Sequence, residues 1–241
     1  MNNINFSPKP NISELRKETL KDYPSLHTIE EIKKWYTERR NSPQLKIEVI
    51  PLKDCENWNI SPDNITHSSG DFFKVEGVRV TQSKSREVGS KGWDQPILTQ
   101  IGFDGGIVGL IRTIEFGTPH YLVNLKEEPG NYKIAQLSPT LQATFANLNQ
   151  AHGGSKPKYS EHFIKYKESK SGDDLIFRSW FSEDGGRLLN KRNLGVIVNK
   201  NISLSKDEQS DYKWITLWQI KALINENAWI NPHLRSLVSY I

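Results

Sequence analysis

The chain has 241 residues, 36% of them apolar and 25% charged, and its 32 basic and 28 acidic residues give a net charge of +4. This is the composition of a soluble globular protein, and the charges are mixed along the chain without the basic stripe or motif that nucleic-acid binding requires. A single cysteine, Cys55, excludes an internal disulfide framework and a Cys-based zinc site, no apolar run approaches the roughly 18 residues of a membrane span, and the start MNNINFSPKP lacks an apolar signal core, so a cytoplasmic protein is expected.

In chain order, residues 1–27 carry Pro8, Pro10 and Pro24 and read as a polar N-terminal arm with a short helix around 13–21. Residues 28–241 show no internal repeat or linker and read as one domain. Thr28 and Glu31 form a capping-box pair that opens a helix with Ile29, Ile32, Trp35 and Tyr36 on one face, stopped at Asn41-Ser42-Pro43. Residues 46–52 alternate apolar and polar side chains and predict a strand. Trp58 follows in a loop-rich stretch, 72–81 predicts a strand or hairpin, and 83–92 an exposed loop. Strands are then predicted at 96–101, 106–115 and 120–126, with turns at Asp104-Gly105-Gly106, Gly117-Thr118-Pro119 and Pro129-Gly130-Asn131. A short β-like piece at 132–137 leads to a predicted helix over 141–150, with Thr140 as N-cap and Leu141, Phe145 and Leu148 on its face. Further strands are expected at 162–167, 174–182 and 195–199. A second capping box, Thr216 with Gln219, opens a helix carrying Leu217, Ile220, Leu223 and Ile224, with a stop at Asn227 and a closing helical turn at 234–240. Many strands framed by a few helices give an α+β domain with a mostly antiparallel or mixed sheet.

The usual chemical signatures are absent: no GxGxxG or GxxxxGK[ST] cradle, no HExxH and no GxSxG, and the six histidines are scattered. The informative stretch is 126–147, KEEPGNYKIAQLSPTLQATFAN. It begins like a buried strand, yet crowds charge, a Pro-Gly turn, hydroxyls and amides together. Capping of the following helix explains Ser138 and Thr140, but not Gln136, Gln142 and Asn147 together; with Thr144 the set suits a hydroxyl-rich ligand. A second cluster, Ser182-Glu183-Asp184-Gly185-Gly186-Arg187 with Lys191-Arg192-Asn193, suits a diphosphate, or is an exposed charged hairpin. Trp58 and Trp93 lie in polar surroundings where stacking is open to them, although packing is the commoner fate of a tryptophan.

These residues resemble the NDP-hexose 2,3-dehydratases of deoxysugar biosynthesis. The match runs in order through Trp93-x-Gln95-Pro96, His120-Tyr121-Leu122-Val123, Lys126-x-Glu128-Pro129-Gly130-Asn131, Gln136-Leu137-Ser138-Pro139-Thr140-x-Gln142-Ala143-Thr144 and Asn147. It continues through Tyr159-x-Glu161-x-Phe163, Ser182-Glu183-x-Gly185, Lys191-Arg192-Asn193, Trp214-x-Thr216-Leu217-x-Gln219 and Arg235-Ser236, covering roughly residue 29 onward. The chain departs from the family pattern at Asn231-Pro232-His233-Leu234-Arg235, where Asn-Met-Asp-Thr-Arg is usual, at Leu188 and Trp218, and around Gln100-Ile101-Gly102-Phe103-Asp104.

The resemblance implies a Nudix-hydrolase-like mixed sheet with flanking helices but no Nudix box. It implies a carbon–oxygen lyase, independent of metal and redox cofactors, that removes water across C2 and C3 of an NDP-4-keto-6-deoxyglucose. The dTDP sugar is the expected substrate, an NDP-3,4-diketo-2,6-dideoxyhexose the product, and a downstream 3-ketoreductase the pathway partner, with surface polysaccharide a candidate destination. The family's usual two modules are here one, which implies a homodimer. The alternatives are a non-catalytic sugar-nucleotide-binding module, or a partner subunit of a full-length dehydratase. Glu128, Glu183, His67 and Tyr159 are the candidate acids and bases, and Lys126 or Lys191 the candidate O4 electrophile. Gln136, Ser138, Thr140, Gln142, Thr144 and Asn147 would hold the sugar. Ser182, Lys191, Arg192 and Asn193 would meet the diphosphate, and Trp58 or Trp93 would stack on the base.

Overall fold

The computed structural model describes residues 5–81, 92–101, 105–151 and 153–241. Helix α1 (Ile12–Lys17) opens on an Asn11–Glu14 capping box and α2 (Ile29–Asn41) on the predicted Thr28–Glu31 box. Strands β1 (Trp58–Ile60), β2 (Asn64–His67), β3 (Phe73–Val80) and β4 (Trp93–Gln100) form an antiparallel sheet in chain order. Strands β5 (Gly106–Glu115) and β6 (Thr118–Glu127) are a long hairpin, followed by β7 (Ala135–Ser138), β8 (Leu141–Thr144) and the one-turn α3 (Phe145–Leu148). After two 3-10 turns come β9 (Leu175–Ser182), β10 (Arg192–Asn199), α4 (Glu208–Asp211), β11 (Tyr212–Ile215), α5 (Leu217–Ile224) and α6 (Pro232–Ser239). The second sheet runs β11-β6-β5-β10-β9, with β10 parallel to β5 and its other neighbours antiparallel, so the architecture is mixed α+β.

The β5–β6 hairpin is split. Its ladder runs from Glu115↔Thr118 only as far as Ile111↔Leu122. Beyond that pair the strands diverge: β8 takes the free edge of β5 (Gly106↔Thr144 to Gly109↔Leu141), and β7 takes that of β6 (Asn124↔Ser138 to Glu127↔Ala135). Pro139 and Thr140 sit at the apex of this wedge. The Thr140 hydroxyl accepts from the Ile111 amide (3.0 Å) and donates to the Leu122 carbonyl (2.5 Å), the two backbone groups left at the fork. Buried backbone groups need partners, and here one side chain serves both.

Apolar cores cover both faces of the sheet. Val108, Leu110, Tyr121 and Val123 pack against α2, α5 and α6, while Ile107, Ile111, Leu122 and Trp214 pack against Phe163 and Tyr166. The alternation along β5 follows the two-residue period of a strand buried on both faces. Gly195 admits the Phe181 ring, which stands 2.0 Å from where a Cβ would be. Leu15 of α1 belongs to the first core, and Glu18 at its end pairs with the fully buried Arg112 (2.8 Å) and accepts from the Tyr121 hydroxyl (2.7 Å).

Several expectations are corrected. Residues 46–50 carry no ladder, and Val49 is 96% exposed, because alternation alone supplies no pairing edge; a 3-10 turn, Leu52–Asp54, follows. The predicted strand at 162–167 is two 3-10 turns, Ser160–His162 and Ile164–Lys167, whose three-residue period buries Phe163 and Tyr166. The predicted helix at 141–150 is strand as far as Thr144, because β5 offers a pairing edge. Thr144, not Thr140, caps the helical turn that follows. Trp58 begins a strand rather than lying in a loop, residues 132–134 precede β7 instead of joining it, and α5 is capped at Asn225 rather than Asn227. Apart from Gly92, the predicted loop at 83–92 lies outside the described residues, as does Asp104. No described helix is long and apolar enough to cross a membrane.

Candidate active site

The wedge is one wall of a cavity of about 1030 Å³. Its floor is Ile107 and Val108 of β5, Lys126 of β6, Gln136 of β7, and Gln142, Ala143 and Thr144 of β8. The turn after β6 contributes Glu128 to Tyr132, and Phe73 and Leu98 reach in from the four-stranded sheet. The segment after β9 brings Glu183, Leu188, Lys191 and Asn193, and the start of α6 brings Asn231, Pro232, His233 and Arg235.

Local sequence explains these placements. Pro129-Gly130-Asn131 closes the turn through Glu128 N–H to the Ile134 carbonyl (3.0 Å) and Asn131 N–H to the Glu128 carbonyl (3.1 Å), and the Asn131 amide donates to the Lys126 carbonyl (3.0 Å). Lys133 and Ile134 take positive φ (55° and 72°); for β-branched Ile134 this is a strained conformation, held by the flanking turn. At the other end, Leu137 N–H donates to the Trp229 carbonyl (2.8 Å) and Asn231 N–H to the Leu137 carbonyl (2.9 Å), so residues 229–231 lie along the edge of β7. Asn231 then caps α6 by accepting from the Leu234 amide (2.9 Å), with Pro232 at the first helical position.

Two charged clusters result. In the first, the Lys126 ammonium lies 3.0 Å from Glu128 and donates to the Gln142 carbonyl (3.1 Å). The Gln142 amide donates to both Glu128 oxygens (3.3 and 3.2 Å), and its own oxygen accepts from Asn231 (2.7 Å). In the second, His233 Nε2 lies 2.8 Å from Glu183 Oε1, which also accepts from the Asn193 amide. The hydrogen bond from His233 holds the Glu183 carboxyl below its usual range, against the opposing effect of burial. Lys191 donates to Gln100 and its ammonium stands 5.7 Å from the Phe73 ring centre. Among the described residues no group of three or more His, Cys, Asp and Glu is placed to hold a metal.

Of the sequence candidates, Lys126, Glu128, Gln136, Gln142, Thr144, Asn147, Glu183, Lys191 and Asn193 line this cavity, and the others do not. His67 lies in β2, bonded to Ser69 (2.8 Å) and edge-on to Trp58 and Phe72. The Tyr159 hydroxyl donates to Glu208 (2.9 Å), and burial holds it well above its usual range. Trp58 packs within the small sheet, and the Trp93 indole donates to Gln95 (2.7 Å). Ser138 is fully buried beside Pro139 and Gln142, and Thr140 is committed to the fork. Ser182 is exposed where β9 pairs with β10, and Arg192 stands with its guanidinium 4.2 Å from the Trp180 ring centre. Sequence reasoning did not single out His233, Asn231, Asn131 or Tyr132 as site residues. The first two were visible in the sequence as part of the departure from the family pattern at 231–235 and of an Asn-Pro helix start, which reports a cap rather than a site.

A family model described as NDP-hexose 2,3-dehydratase matches residues 29–241. A protein from Streptomyces violaceoruber named dTDP-4-dehydro-6-deoxy-alpha-D-glucopyranose 2,3-dehydratase is 32% identical over 207 residues, 85% of this chain and 44% of that protein. Its namesake from Amycolatopsis orientalis is 33% identical over 214 residues, 87% of this chain and 44% of that protein. The chain therefore spans less than half the length of these curated relatives. Among solved structures, the Nudix hydrolase RenU from M. smegmatis aligns over 68% of this chain and 90% of that one, at 13% identity and a TM-score of 0.31, too low to carry an argument.

Proposed function

The chain belongs to the NDP-hexose 2,3-dehydratase family, and from that premise we propose that the cavity binds a nucleoside-diphosphate 4-keto-6-deoxyglucose, the dTDP sugar first, and removes water across C2 and C3. The observation that carries this is the convergence of Lys126, Glu128, Gln136, Gln142 and Asn231 with Glu183, Lys191, Asn193 and His233 around one cavity. Amides and hydroxyls suit the sugar, and charged pairs suit proton transfer.

The ketone acidifies the C3 hydrogen. A base lining the cavity removes it, and negative charge moves to O4, to which we assign the Lys126 ammonium as donor; such donors commonly contribute the largest catalytic share. Loss of the 2-hydroxyl gives a 2,3-enol, which tautomerises to the 3,4-diketone. The net change is redox-neutral. Arg235 is exposed at the cavity rim, forms no ion pair among the described residues, and suits the diphosphate together with Lys191. The exposed Tyr132 ring at the rim suits the nucleobase. A homodimer in the cytoplasm, supplying a 3-ketoreductase, is the expected setting.

The test is incubation of the purified chain with dTDP-4-keto-6-deoxyglucose and a 3-ketoreductase with its nicotinamide cofactor, followed by mass spectrometry. A product lacking the 2-hydroxyl is expected; substrate binding without such a product overturns the stand-alone enzyme. The second reading is a non-catalytic sugar-nucleotide-binding module or a partner subunit of a full-length dehydratase. Turnover that begins only when a full-length dehydratase lacking its own activity is added supports that reading.

A further inference from the structure

Two carboxylates line the cavity, but both are committed. Glu128 receives the Lys126 ammonium on Oε1 and the Gln142 amide on both oxygens. Glu183 accepts from Asn193 and lies 2.8 Å from His233, and its carboxyl is held below the usual range, which makes it a weak base. The imidazole of His233 is different. It is half-buried in the wall, and its one polar partner among the described residues is Glu183, through Nε2. A carboxylate accepts but does not donate, so neutral His233 carries its hydrogen on Nε2 and leaves Nδ1 as a lone pair. This is the arrangement in which a carboxylate fixes the tautomer and orientation of a basic imidazole.

We propose that His233 is the proton-transfer residue of this cavity, oriented by Glu183, and that it carries the C3 proton to the departing 2-hydroxyl. The assignment rests on the dehydratase reading above. In a gluco-configured ring the hydroxyls at C2 and C3 are trans, so the C3 hydrogen and O2 lie on the same ring face, and one group can serve both atoms. Nδ1 takes the proton, the C3–H electrons form the C3–C4 double bond, and the carbonyl pair moves to O4. The imidazolium then returns that proton to O2 as the C2–O2 bond breaks. The enolate electrons form the C2–C3 double bond, the C4 carbonyl is restored, and water leaves. Glu183 stays ionised and stabilises the imidazolium between the two transfers, which makes it a positioning residue.

The charged groups facing His233 are Glu183 and Lys191 from the segment after β9, Arg235 on its own helix, and Lys126 with Glu128 across the cavity. The experiment compares wild type, His233→Asn, His233→Asp and Glu183→Gln in the coupled assay, with dTDP affinity by calorimetry and melting temperature as controls on folding. His233→Asn is expected to lose about 10²–10⁴-fold in kcat with dTDP affinity within about twofold. His233→Asp should recover part of the rate and move the acid limb of the pH profile down. Glu183→Gln should lower kcat with KM little changed, because the imidazole loses the carboxylate that fixes its tautomer, and a merely structural role would lower Tm without that split. If His233→Asn does not fold, the kcat-against-KM split in Glu183→Gln decides the question. Folded His233→Asn with kcat within about threefold of wild type overturns the assignment and leaves the dehydratase reading standing. A wild-type chain that binds the sugar nucleotide without turnover overturns both.

Discussion

Replacing Thr140 by valine separates two roles that its place in the QLSPT run would allow. The side chain is 2% exposed and its hydroxyl bridges the Ile111 amide and the Leu122 carbonyl where β5 and β6 part. Valine keeps the shape and removes both bonds. Each stranded buried group costs about 1–3 kcal/mol, so the pair costs roughly 2–4 kcal/mol after partial relaxation of the fork. For a chain of this size that is a fall in Tm of about 5–15 °C. Thermal unfolding gives the Tm, and calorimetric titration with dTDP, performed well below it, gives the affinity. The expected result is a large loss of stability with an affinity within about twofold of wild type. An unchanged Tm with weakened binding would refute the reasoning and return Thr140 to the ligand surface.

Three further outcomes are expected. Glu18→Ala leaves the Arg112 guanidinium buried without its carboxylate and should cost about 3–5 kcal/mol, read as a lower urea midpoint; a midpoint equal to wild type contradicts the buried pair. His120 donates from Nδ1 to the Thr118 carbonyl (2.9 Å) and accepts at Nε2 from the Leu26 amide (3.1 Å), so it is neutral in the fold, and burial lowers its pKa below the usual 6.5. The unfolded chain therefore binds the proton first: this contribution is complete above pH 6.5 and is lost as pH falls through the window beneath it. His120→Gln should flatten the dependence of stability on pH in that window, and parallel curves for the two proteins would exclude the effect. Lys126→Met should lower kcat by about 10²–10³-fold through loss of the donor to O4, with dTDP affinity little changed. Unaltered kcat would remove Lys126 from the chemistry.

The elements that were legible in the sequence are those whose signal is local. Both long-helix capping boxes, Thr28–Glu31 and Thr216–Gln219, form as the spacing predicts, and β5 falls where its apolar run lies. Segments decided by distant pairing were not legible. Leu141–Thr144 has a helical pattern but is captured by the edge of β5, while residues 46–50 have a strand pattern and find no edge. The site divides in the same way. The polar series from Lys126 to Asn147 announced a surface because it is contiguous, but the hydroxyls of Ser138 and Thr140 turn inward to hold the wedge. His233 stood out only as a departure from the family pattern, because residues 229–231 complete the cavity by pairing with Leu137 of β7, and the local sequence does not record that distant contact.

The proposed reaction removes water across C2 and C3 through an enol. Running the coupled reaction in D₂O and weighing the trapped sugar nucleotide tests it most directly, because tautomerisation of a 2,3-enol draws the new C2 hydrogen from solvent. A 2-deoxy product carrying solvent deuterium at C2 is expected. A 2-deoxy product with no deuterium there, or recovery of only the 2-hydroxylated sugar from a chain that binds it, would exclude the enol route in this cavity.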